Sequence, residues 1–294
     1  MEGNRVERNP RLEGILTAFL SEDMGFGDIT SNALIPRGQN AVARLYFKEP
    51  GVVAGLEEVA TLFSMLGCKV KLLGVDGGEV DPKEVLLEAR GDAKALLAGE
   101  RVALNLIGHL AGIATATRNV VVKARKVNPK IRVAATRKTL PGLRDLEKKA
   151  VELGGGDTHR LRLDDCVLIK DNHLELLPNV TEAIRLAREK VSFTKKIEIE
   201  VRSTKQAEEA ARAGAEIIML DNMNPSEIKS CLNYLQSIGL KDGRLFEASG
   251  GINASNLEEY AASGVDIASL GSLTHSVRSL DVKLEIKMSG GTRV

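Results

Sequence analysis

The sequence has few of the residues on which nucleic-acid binding depends. It contains no tryptophan and only 3% aromatic residues, so a surface that stacks single-stranded bases is not expected. Its 41 lysines and arginines nearly balance its 40 acidic residues, and the net charge of +1 produces no overall field for nucleic acid or an anionic membrane. We therefore expect neither nucleic acid nor a membrane among its partners.

Cysteines are also few, and long apolar runs are missing. The three cysteines, Cys68, Cys166 and Cys231, are far apart and form no C-x-x-C pair, which argues against a disulfide framework and against a zinc site. No apolar run reaches about 18 residues and the N-terminus is polar, so neither a membrane span nor a signal peptide is expected. These features predict a soluble protein of the reducing cytoplasm.

The first part of the chain has the pattern of a small α+β domain. Helices are predicted over residues 12–20 and 56–66, and strands over residues 41–48, 51–54, 69–75 and 84–90. A long apolar helical stretch follows over residues 100–126, with interruptions expected around Gly108 and Gly112. We place the domain boundary inside this stretch, which gives domains of residues 1–112 and 113–275. The segment 276–294 is expected to pack against the first domain and to end in a disordered tail from Met288.

In the second part, short apolar strands alternate with amphipathic helices. The strands are predicted at Val133, at Val167 and over residues 197–201, 217–220, 245–247 and 267–270, and the helices over residues 179–190, 204–213, 225–238 and 254–263. Repeated β and α units predict parallel strands joined by right-handed crossovers. The fully apolar strands favour a TIM-like barrel over an open sheet.

Cations follow the predicted strands at the point where each strand ends. Arg137 and Lys138 come after the first strand, and Lys170 comes directly after the second. In α/β sheets and barrels this edge is where ligands bind, so a group of cations there predicts a ligand with several negative charges. A surface cluster of ion pairs would place cations in the same way and remains an alternative.

Acids and glycines follow the other strands. The third strand carries Glu198 and Glu200, and the fourth ends in Asp221. Carboxylates among cations suit Mg²⁺ beside phosphates, although a solvated strand face would also explain them. The fifth strand leads into Ser249-Gly250-Gly251, and the sixth leads into Gly271. Both loops are candidate phosphate sites, together with the start of a helix expected near residues 253–255. A plain turn at these glycines is the alternative.

Seven motifs together resemble one family over nearly the whole chain. They are, in order, T-R-K-T-L-P-G-L-R, G-G-G-D-T-H-R, L-I-K-D-N-H, I-E-I-E-V, L-D-N-M, A-S-G-G-I and G-S-L-T-H-S. The sequence is similar to the quinolinate phosphoribosyltransferase family. This resemblance implies an incomplete TIM-like α/β barrel preceded by a small α+β sandwich domain, and a homodimer, possibly part of a higher oligomer, whose subunits share active sites. It also implies a reaction of NAD biosynthesis, in which quinolinate and phosphoribosyl pyrophosphate give nicotinate mononucleotide, pyrophosphate and CO2 with Mg²⁺.

The resemblance also implies roles for individual residues. The residues that match the family's quinolinate ligands are Arg137, His159 and Arg160, and Lys138 and Lys170 match lysines that meet the negative charge of both substrates. Glu200 and Asp221 match the acids near the ribose and the metal. The phosphate loops contain Ser249, Gly250, Gly251 and Gly271. Arg101 matches an arginine that the neighbouring subunit contributes.

Three other functions remain open from the residues alone. A related phosphoribosyltransferase for another aromatic acid, such as the molybdenum-associated relatives, would keep the phosphate loops and change the residues that hold the dianion. A Schiff-base aldolase would use Lys170 as its nucleophile. A non-catalytic sensor of phosphorylated ligands would not require Glu200 or Asp221.

Overall fold

A computed structural model describes residues 9–289 as alternating helices and strands. The helices are α1 Pro10–Met24, α2 Ile29–Leu34, α3 Leu56–Met65, α4 Ala93–Val127, α5 Arg144–Leu153, α6 Asp171–Leu174, α7 Val180–Lys190, α8 Thr204–Arg212, α9 Pro225–Ser237, α10 Leu257–Ala262 and α11 Ser272–His275. The strands are β1 Asn40–Phe47, β2 Gly51–Val52, β3 Lys69–Leu72, β4 Glu79–Val80, β5 Val85–Asp92, β6 Arg132–Ala134, β7 Val167–Ile169, β8 Ile197–Val201, β9 Ile217–Asp221, β10 Leu245–Ser249, β11 Ile267–Ser269 and β12 Val282–Met288.

The chain divides into two compact units. One comprises Met1–Ala116 and Val277–Val294, and the other comprises Thr117–Ser276. The domain boundary predicted after residue 112 stays a prediction. The first segment of the N-terminal unit ends four residues later, at Ala116. Disorder was predicted from Met288 to Val294. Met288 itself ends strand β12, and residues 290–294 lie outside the described residues.

An antiparallel sheet forms the centre of the N-terminal unit. Its strand order is β12-β1-β5-β3, so the C-terminal strand pairs with the first strand of the chain. Side chains of β1 alternate between the core and the other face because successive residues of a strand point to opposite sides. Ala43, Leu45 and Phe47 are fully buried, whereas Arg44 is exposed. This alternation explains why β1 could be predicted from the sequence.

The long helix α4 is continuous, and the interruptions predicted at Gly108 and Gly112 are wrong. Both glycines instead lie against the backbone of the segment that precedes β12. A Cβ on Gly112 would lie 2.3 Å from the carbonyl oxygen of Arg278, and the carbonyl of Gly108 accepts a hydrogen bond from the Leu280 amide at 3.0 Å. The glycines therefore permit close contact rather than ending the helix.

Helix α4 is also long and apolar enough to cross a bilayer by length and composition alone. Of its apolar 18-residue window, 61% is buried inside the protein. Core helices of folded proteins have the same composition, because all their faces contact other protein. Its hydropathy is thus accounted for by burial.

The C-terminal unit contains six parallel strands in the order β6-β11-β10-β9-β8-β7. All six were predicted, as were α7, α8 and α9. The helix predicted over residues 254–263 is shorter, because α10 begins at Leu257. Helix α5, the two-residue strand β4 and the seven-residue strand β12 were not predicted.

These strands form the incomplete TIM-like barrel that the resemblance implied. The two edge strands, β6 and β7, are consecutive in the chain, and Ala134 in β6 makes a further parallel bridge to Asp157 in the connection between them. Apolar side chains from the strands and surrounding helices form one buried cluster that includes Ile199, Ile218 and Phe246. Because all strands run in the same direction, the residues after each strand gather at one end of the barrel.

Candidate active site

A cleft of about 550 Å³ lies at this carboxyl end of the barrel. Its lining comprises Thr136, Arg137, Lys138, His159, Arg160, Leu168, Lys170, Glu200, Met219, Asp221, Asn222, Glu247, Ser249, Gly250, Gly251 and Ser269. The cleft thus contains ten of the twelve predicted site residues. Gly271 lies beside it, and Arg101 is exposed on α4 in the other unit.

Two arginines that line the cleft, Arg137 and Arg160, lie close enough to repel each other. Burial, together with the charges of Arg160 and Arg144, lowers the pKa of Arg137. The buried Nε of Arg137 has no hydrogen-bond partner among the described residues. A buried guanidinium donor without an acceptor costs free energy, which an anionic ligand would recover. This geometry suits a ligand with two carboxylates.

The two acids near the cleft surface are each paired with a cation. Lys170 donates through Nζ to Oε1 of Glu200. The Oδ2 of Asp221 lies 3.3 Å from Nε of Arg202 and accepts a hydrogen bond from the Asn222 side-chain amide at 2.8 Å. These ion pairs set the orientation of both carboxylates.

The carboxylate oxygens of Glu200 and Asp221 are ligands of the type that Mg²⁺ prefers. Mg²⁺ prefers one or two carboxylates together with phosphate oxygens and water. Glu200 and Asp221 supply carboxylate oxygens on neighbouring strands, and the described contacts of Asp221 end on a single oxygen, Oδ2. Either acid could thus provide an oxygen to the ion while keeping its present partner.

Glycines let the backbone approach a ligand after β10 and β11. Gly250 and Gly251 have φ of 92° and 65°, a region that side chains with a Cβ disfavour. A Cβ on Gly250 would lie 2.2 Å from Oδ1 of Asn222, and one on Gly271 would lie 3.0 Å from Cδ of Lys138. The helix expected to begin near residues 253–255 is absent there, so the loop amides, rather than that helix end, are the candidate phosphate donors.

His159 lies at the base of the cleft with its side chain only 14% exposed. Its Nε2 lies 3.2 Å from Oε2 of Glu247 and 3.3 Å from Oε1 of Glu198, and both glutamates are fully buried. Burial acts to lower the pKa of His159, but the contacts with Glu198 and Glu247 act to raise it and outweigh burial. The backbone amide of Arg160 lies 2.7 Å from Nδ1 and acts in the opposite sense, because it stabilises that nitrogen without a proton.

Sequence reasoning gave no role to two buried residues that support the cleft. In the sequence Glu247 is only the end of an apolar strand, although a carboxylate two residues before Ser249-Gly250 was a usable signal. Lys148, on α5, donates to the carbonyl oxygen of Thr158, and burial lowers the pKa of Lys148 to about 8. Its helix was not predicted, so its position beside the site could not be.

An incomplete α/β barrel with paired arginines and glycine loops at its carboxyl end belongs to the class of enzymes that bind polyanionic substrates there. Comparison with known proteins defines the family more narrowly. Residues 28–111 match the family description "Quinolinate phosphoribosyl transferase, N-terminal domain", and residues 113–285 match "Quinolinate phosphoribosyl transferase, C-terminal domain". The chain belongs to the quinolinate phosphoribosyltransferase family.

Similar proteins come from archaea, bacteria and animals. The chain is 50% identical to a probable nicotinate-nucleotide pyrophosphorylase [carboxylating] of Methanocaldococcus jannaschii, over 92% of this chain and 96% of that one. It is 36% identical to the nicotinate-nucleotide pyrophosphorylase [carboxylating] of Homo sapiens, over 94% of this chain and 91% of that one. The crystal structure of NadC from Streptococcus pyogenes, 36% identical, superposes with a TM-score of 0.89 over 96% of this chain and 99% of that chain.

Proposed function

We propose that this protein transfers the phosphoribosyl group of phosphoribosyl pyrophosphate to quinolinate and releases pyrophosphate and CO2. The product is nicotinate mononucleotide, and the reaction belongs to the biosynthesis of NAD. The observation that carries the proposal is that Arg137 lies close to Arg160 and that its buried Nε has no hydrogen-bond partner among the described residues. Two neighbouring guanidinium groups suit quinolinate because it is a planar dianion with two carboxylates. Membership of the family and the names of its relatives support the same reaction.

Most residues of the cleft have a part in this proposal. Arg137 and Arg160 hold the two carboxylates of quinolinate and thereby direct the ring nitrogen toward the ribose. Lys138 and Lys170 balance the remaining negative charge of both substrates. The backbone amides at Gly250, Gly251 and Gly271, with Ser249, receive the phosphate of the ribosyl substrate; the apolar side chains of Leu168 and Met219 are available to contact the pyridine ring.

The chemical step needs stabilisation of positive charge at the ribose. As the bond to pyrophosphate breaks, the sugar carbon acquires oxocarbenium character, which the carboxylates of Glu200 and Asp221 would stabilise. Bound Mg²⁺ would neutralise charge on the departing pyrophosphate. The ring nitrogen then carries a positive charge, which stabilises the electron pair left on the neighbouring ring carbon when CO2 leaves. That carbon then takes up a proton from solvent to give the product.

The same cleft disfavours the alternatives. An aldolase that forms a Schiff base on Lys170 would have no use for the two arginines, Arg137 and Arg160, that line the same cleft. A related phosphoribosyltransferase for a different acid would not need Arg137 and Arg160 together.

We also propose a homodimer with shared active sites, in which Arg101 serves the partner's cleft. Four apolar side chains near the N-terminus are exposed and would suit such an interface: Met24, Phe26, Ile29 and Leu34. The predicted cytoplasmic location stays a prediction.

Incubation of the protein with quinolinate, phosphoribosyl pyrophosphate and Mg²⁺ tests the reaction. Mass spectrometry should detect nicotinate mononucleotide, and carboxyl-labelled quinolinate should release labelled CO2 in equal amount. Nicotinate, which lacks the second carboxylate, serves as the matched control substrate and should give little product. Turnover of nicotinate with none of quinolinate would refute the assignment.

A further inference from the structure

Helix α5 carries a buried lysine that has no part in the proposed reaction. Lys148 is only 1% exposed and is not among the residues that line the cleft. Burial, together with the charges of Arg144 and Arg137, lowers the pKa of Lys148 to about 8. A buried ammonium group costs free energy, whereas a methionine of similar length would fill the same space without that cost. The contact that Lys148 makes therefore has to account for its presence.

The peptide group between Thr158 and His159 is held at both of its ends. The Nζ of Lys148 donates to the carbonyl oxygen of Thr158. The amide of the same peptide, that of His159, donates to Oδ1 of Asp157 at 2.8 Å. Asp157 is itself fixed, because its amide donates to the carbonyl oxygen of Val133 in β6 at 2.8 Å. This one peptide is thus fixed between α5 and an edge strand of the barrel.

The fixed peptide determines an unusual backbone conformation at His159. The φ of His159 is 53°, and His159 is one of three described residues other than glycine with positive φ. A residue with a Cβ rarely adopts this region unless its surroundings stabilise it. Because φ describes how the preceding peptide is turned relative to the residue, a contact that holds this peptide also holds φ. The ring is held separately, with Nε2 lying 3.2 Å from Glu247 and 3.3 Å from Glu198.

We infer that Lys148 is a positioning residue, whose contact with the Thr158 carbonyl holds the peptide that orients the cationic side chains of His159 and Arg160 in the cleft. These two residues follow the peptide directly, and both line the cleft. Without the contact from Lys148, the peptide can rotate and His159 can return to the negative φ that its Cβ favours. That rotation would displace Arg160, the next residue along the chain.

The inference rests on the proposed binding of quinolinate by Arg160, and it separates the two substrates. Helix α5 also holds the same loop beyond Arg160, where Arg162 pairs with Asp145 at 2.8 Å. Loss of the Lys148 contact should therefore disturb the loop around Arg160 without detaching its far end. The proposed phosphate loops follow β10 and β11, in another part of the cleft. We expect quinolinate to bind less well and phosphoribosyl pyrophosphate to bind as before.

Equilibrium binding to Lys148→Met tests the inference. Calorimetric titration should show about 10- to 100-fold weaker binding of quinolinate, because its ligands are misplaced, with the Kd for phosphoribosyl pyrophosphate within about twofold of wild type. Steady-state kinetics should show the same loss as a higher KM for quinolinate, with kcat changed less. Lys190→Met is the control, since it makes the same substitution at an exposed lysine of α7. Unchanged affinity for quinolinate in Lys148→Met would overturn the inference.

Asp157→Ala releases the other end of the same peptide and gives a second variant. It should also weaken the binding of quinolinate and spare phosphoribosyl pyrophosphate. Combined with Lys148→Met, it should cost less than the product of the two single losses, because both substitutions free one peptide. Losses that multiply would show two separate effects and would overturn the inference. Circular dichroism establishes that each variant is folded.

A crystal structure of Lys148→Met tests the backbone itself and does not depend on turnover. The Thr158–His159 peptide should be rotated, with a negative φ at His159 and a displaced Arg160 side chain. Weaker binding of quinolinate with φ unchanged would assign the loss to the missing positive charge and would overturn the inference. A rotated peptide in the variant, together with a wild-type protein that does not bind quinolinate, would refute the proposed function alone.

Discussion

At the scale of single residues, the two arginines of the cleft carry the proposed binding of quinolinate. Arg137→Ala and Arg160→Ala should each lower kcat/KM for quinolinate by about 30- to 1,000-fold, because each removes a charge-assisted contact to a carboxylate. Steady-state kinetics with each substrate varied in turn gives the measurement. Arg185→Ala is the control, since Arg185 is an exposed arginine of α7 whose ion pairs, with Glu182 and Glu189, lie outside the cleft. A loss of less than threefold in both cleft variants would remove them from the substrate site.

The acids of the cleft give a second prediction at this scale. Asp221→Asn should raise the Mg²⁺ concentration needed for half-maximal activity, because an amide oxygen is a weaker ligand for a hard cation and carries no charge. Activity is measured over a Mg²⁺ titration at saturating substrates. Asp171→Asn is the control, because Asp171 also pairs with Arg202 but does not line the cleft. The metal role fails if the two variants titrate alike.

The positions of the cations in the cleft could be predicted from the sequence, whereas the buried polar contacts beneath them could not. Arg137, Lys138 and Lys170 follow apolar strands directly, so their position at the barrel end follows from chain direction alone. The partners of His159 come from β8 and β10, about 40 and 90 residues further along the chain, and such pairings depend on strand order and register. No local pattern could have shown that Glu247 lies beneath His159.

At the scale of elements, glycines decide where backbones can meet. Gly250→Ala combines strain at positive φ with a clash against Asn222, which in turn supports Asp221. Gly214 has nearly the same φ, 89° against 92°, but a Cβ there would have nothing within 4 Å. Both substitutions should lower stability by about 1–2 kcal/mol through backbone strain. Only Gly250→Ala should also reduce kcat/KM for phosphoribosyl pyrophosphate, by about 100-fold. Equal activity in the two variants would show that the loop does not shape the site.

Helix α4 supplies a second comparison between glycines. Gly14, on α1, is exposed and has open space around it, so Gly14→Ala should raise the free energy of unfolding by up to about 1 kcal/mol through helix propensity. Gly112→Ala has the same propensity gain, but its Cβ would meet a backbone oxygen, and we expect a net loss of about 1–3 kcal/mol. Urea unfolding measures both. Stabilisation by Gly112→Ala would mean that the contact with Arg278 does not form.

The wrong prediction for α4 has a physical cause. A glycine lowers helix propensity wherever it occurs, and the sequence alone does not show whether another segment packs against it. Packing of residues 276–294 against the first domain was expected, but the sequence did not show that this segment would contact Gly112. The strand that follows the packed segment, β12, begins 170 residues after Gly112 and was not predicted. Strands β6 to β11 were predictable because most of their residues are apolar and buried.

At the scale of the whole molecule, a dimer is supported by different residues from those first expected. From the sequence alone, the apolar stretch Leu104–Ile113 of α4 has the pattern of a dimer interface, since a lone exposed helix would carry less apolar surface. Its large apolar side chains Leu106, Ile107, Leu110 and Ile113 are instead buried within the chain, so that reasoning was wrong. The exposed group of Met24, Phe26, Ile29 and Leu34 now supports an interface, and the exposed position of Arg101 leaves its side chain available to a second subunit.

Subunit mixing tests whether Arg101 acts across a dimer. Arg101→Ala and Lys138→Ala should each be nearly inactive alone, because every site then lacks one cation. If Arg101 serves the partner's cleft, a mixed dimer contains one site that neither substitution reaches. Random exchange makes about half of the dimers mixed, each with one intact site of two, so about a quarter of wild-type activity should return. Differently tagged chains establish that exchange has occurred.

Lys138→Ala mixed with Arg137→Ala is the matched control: both residues line the same cleft, so every site of the mixed dimer stays damaged and no activity should return. Mixed dimers of Arg101→Ala with Lys138→Ala that remain inactive would show that Arg101 acts within its own subunit.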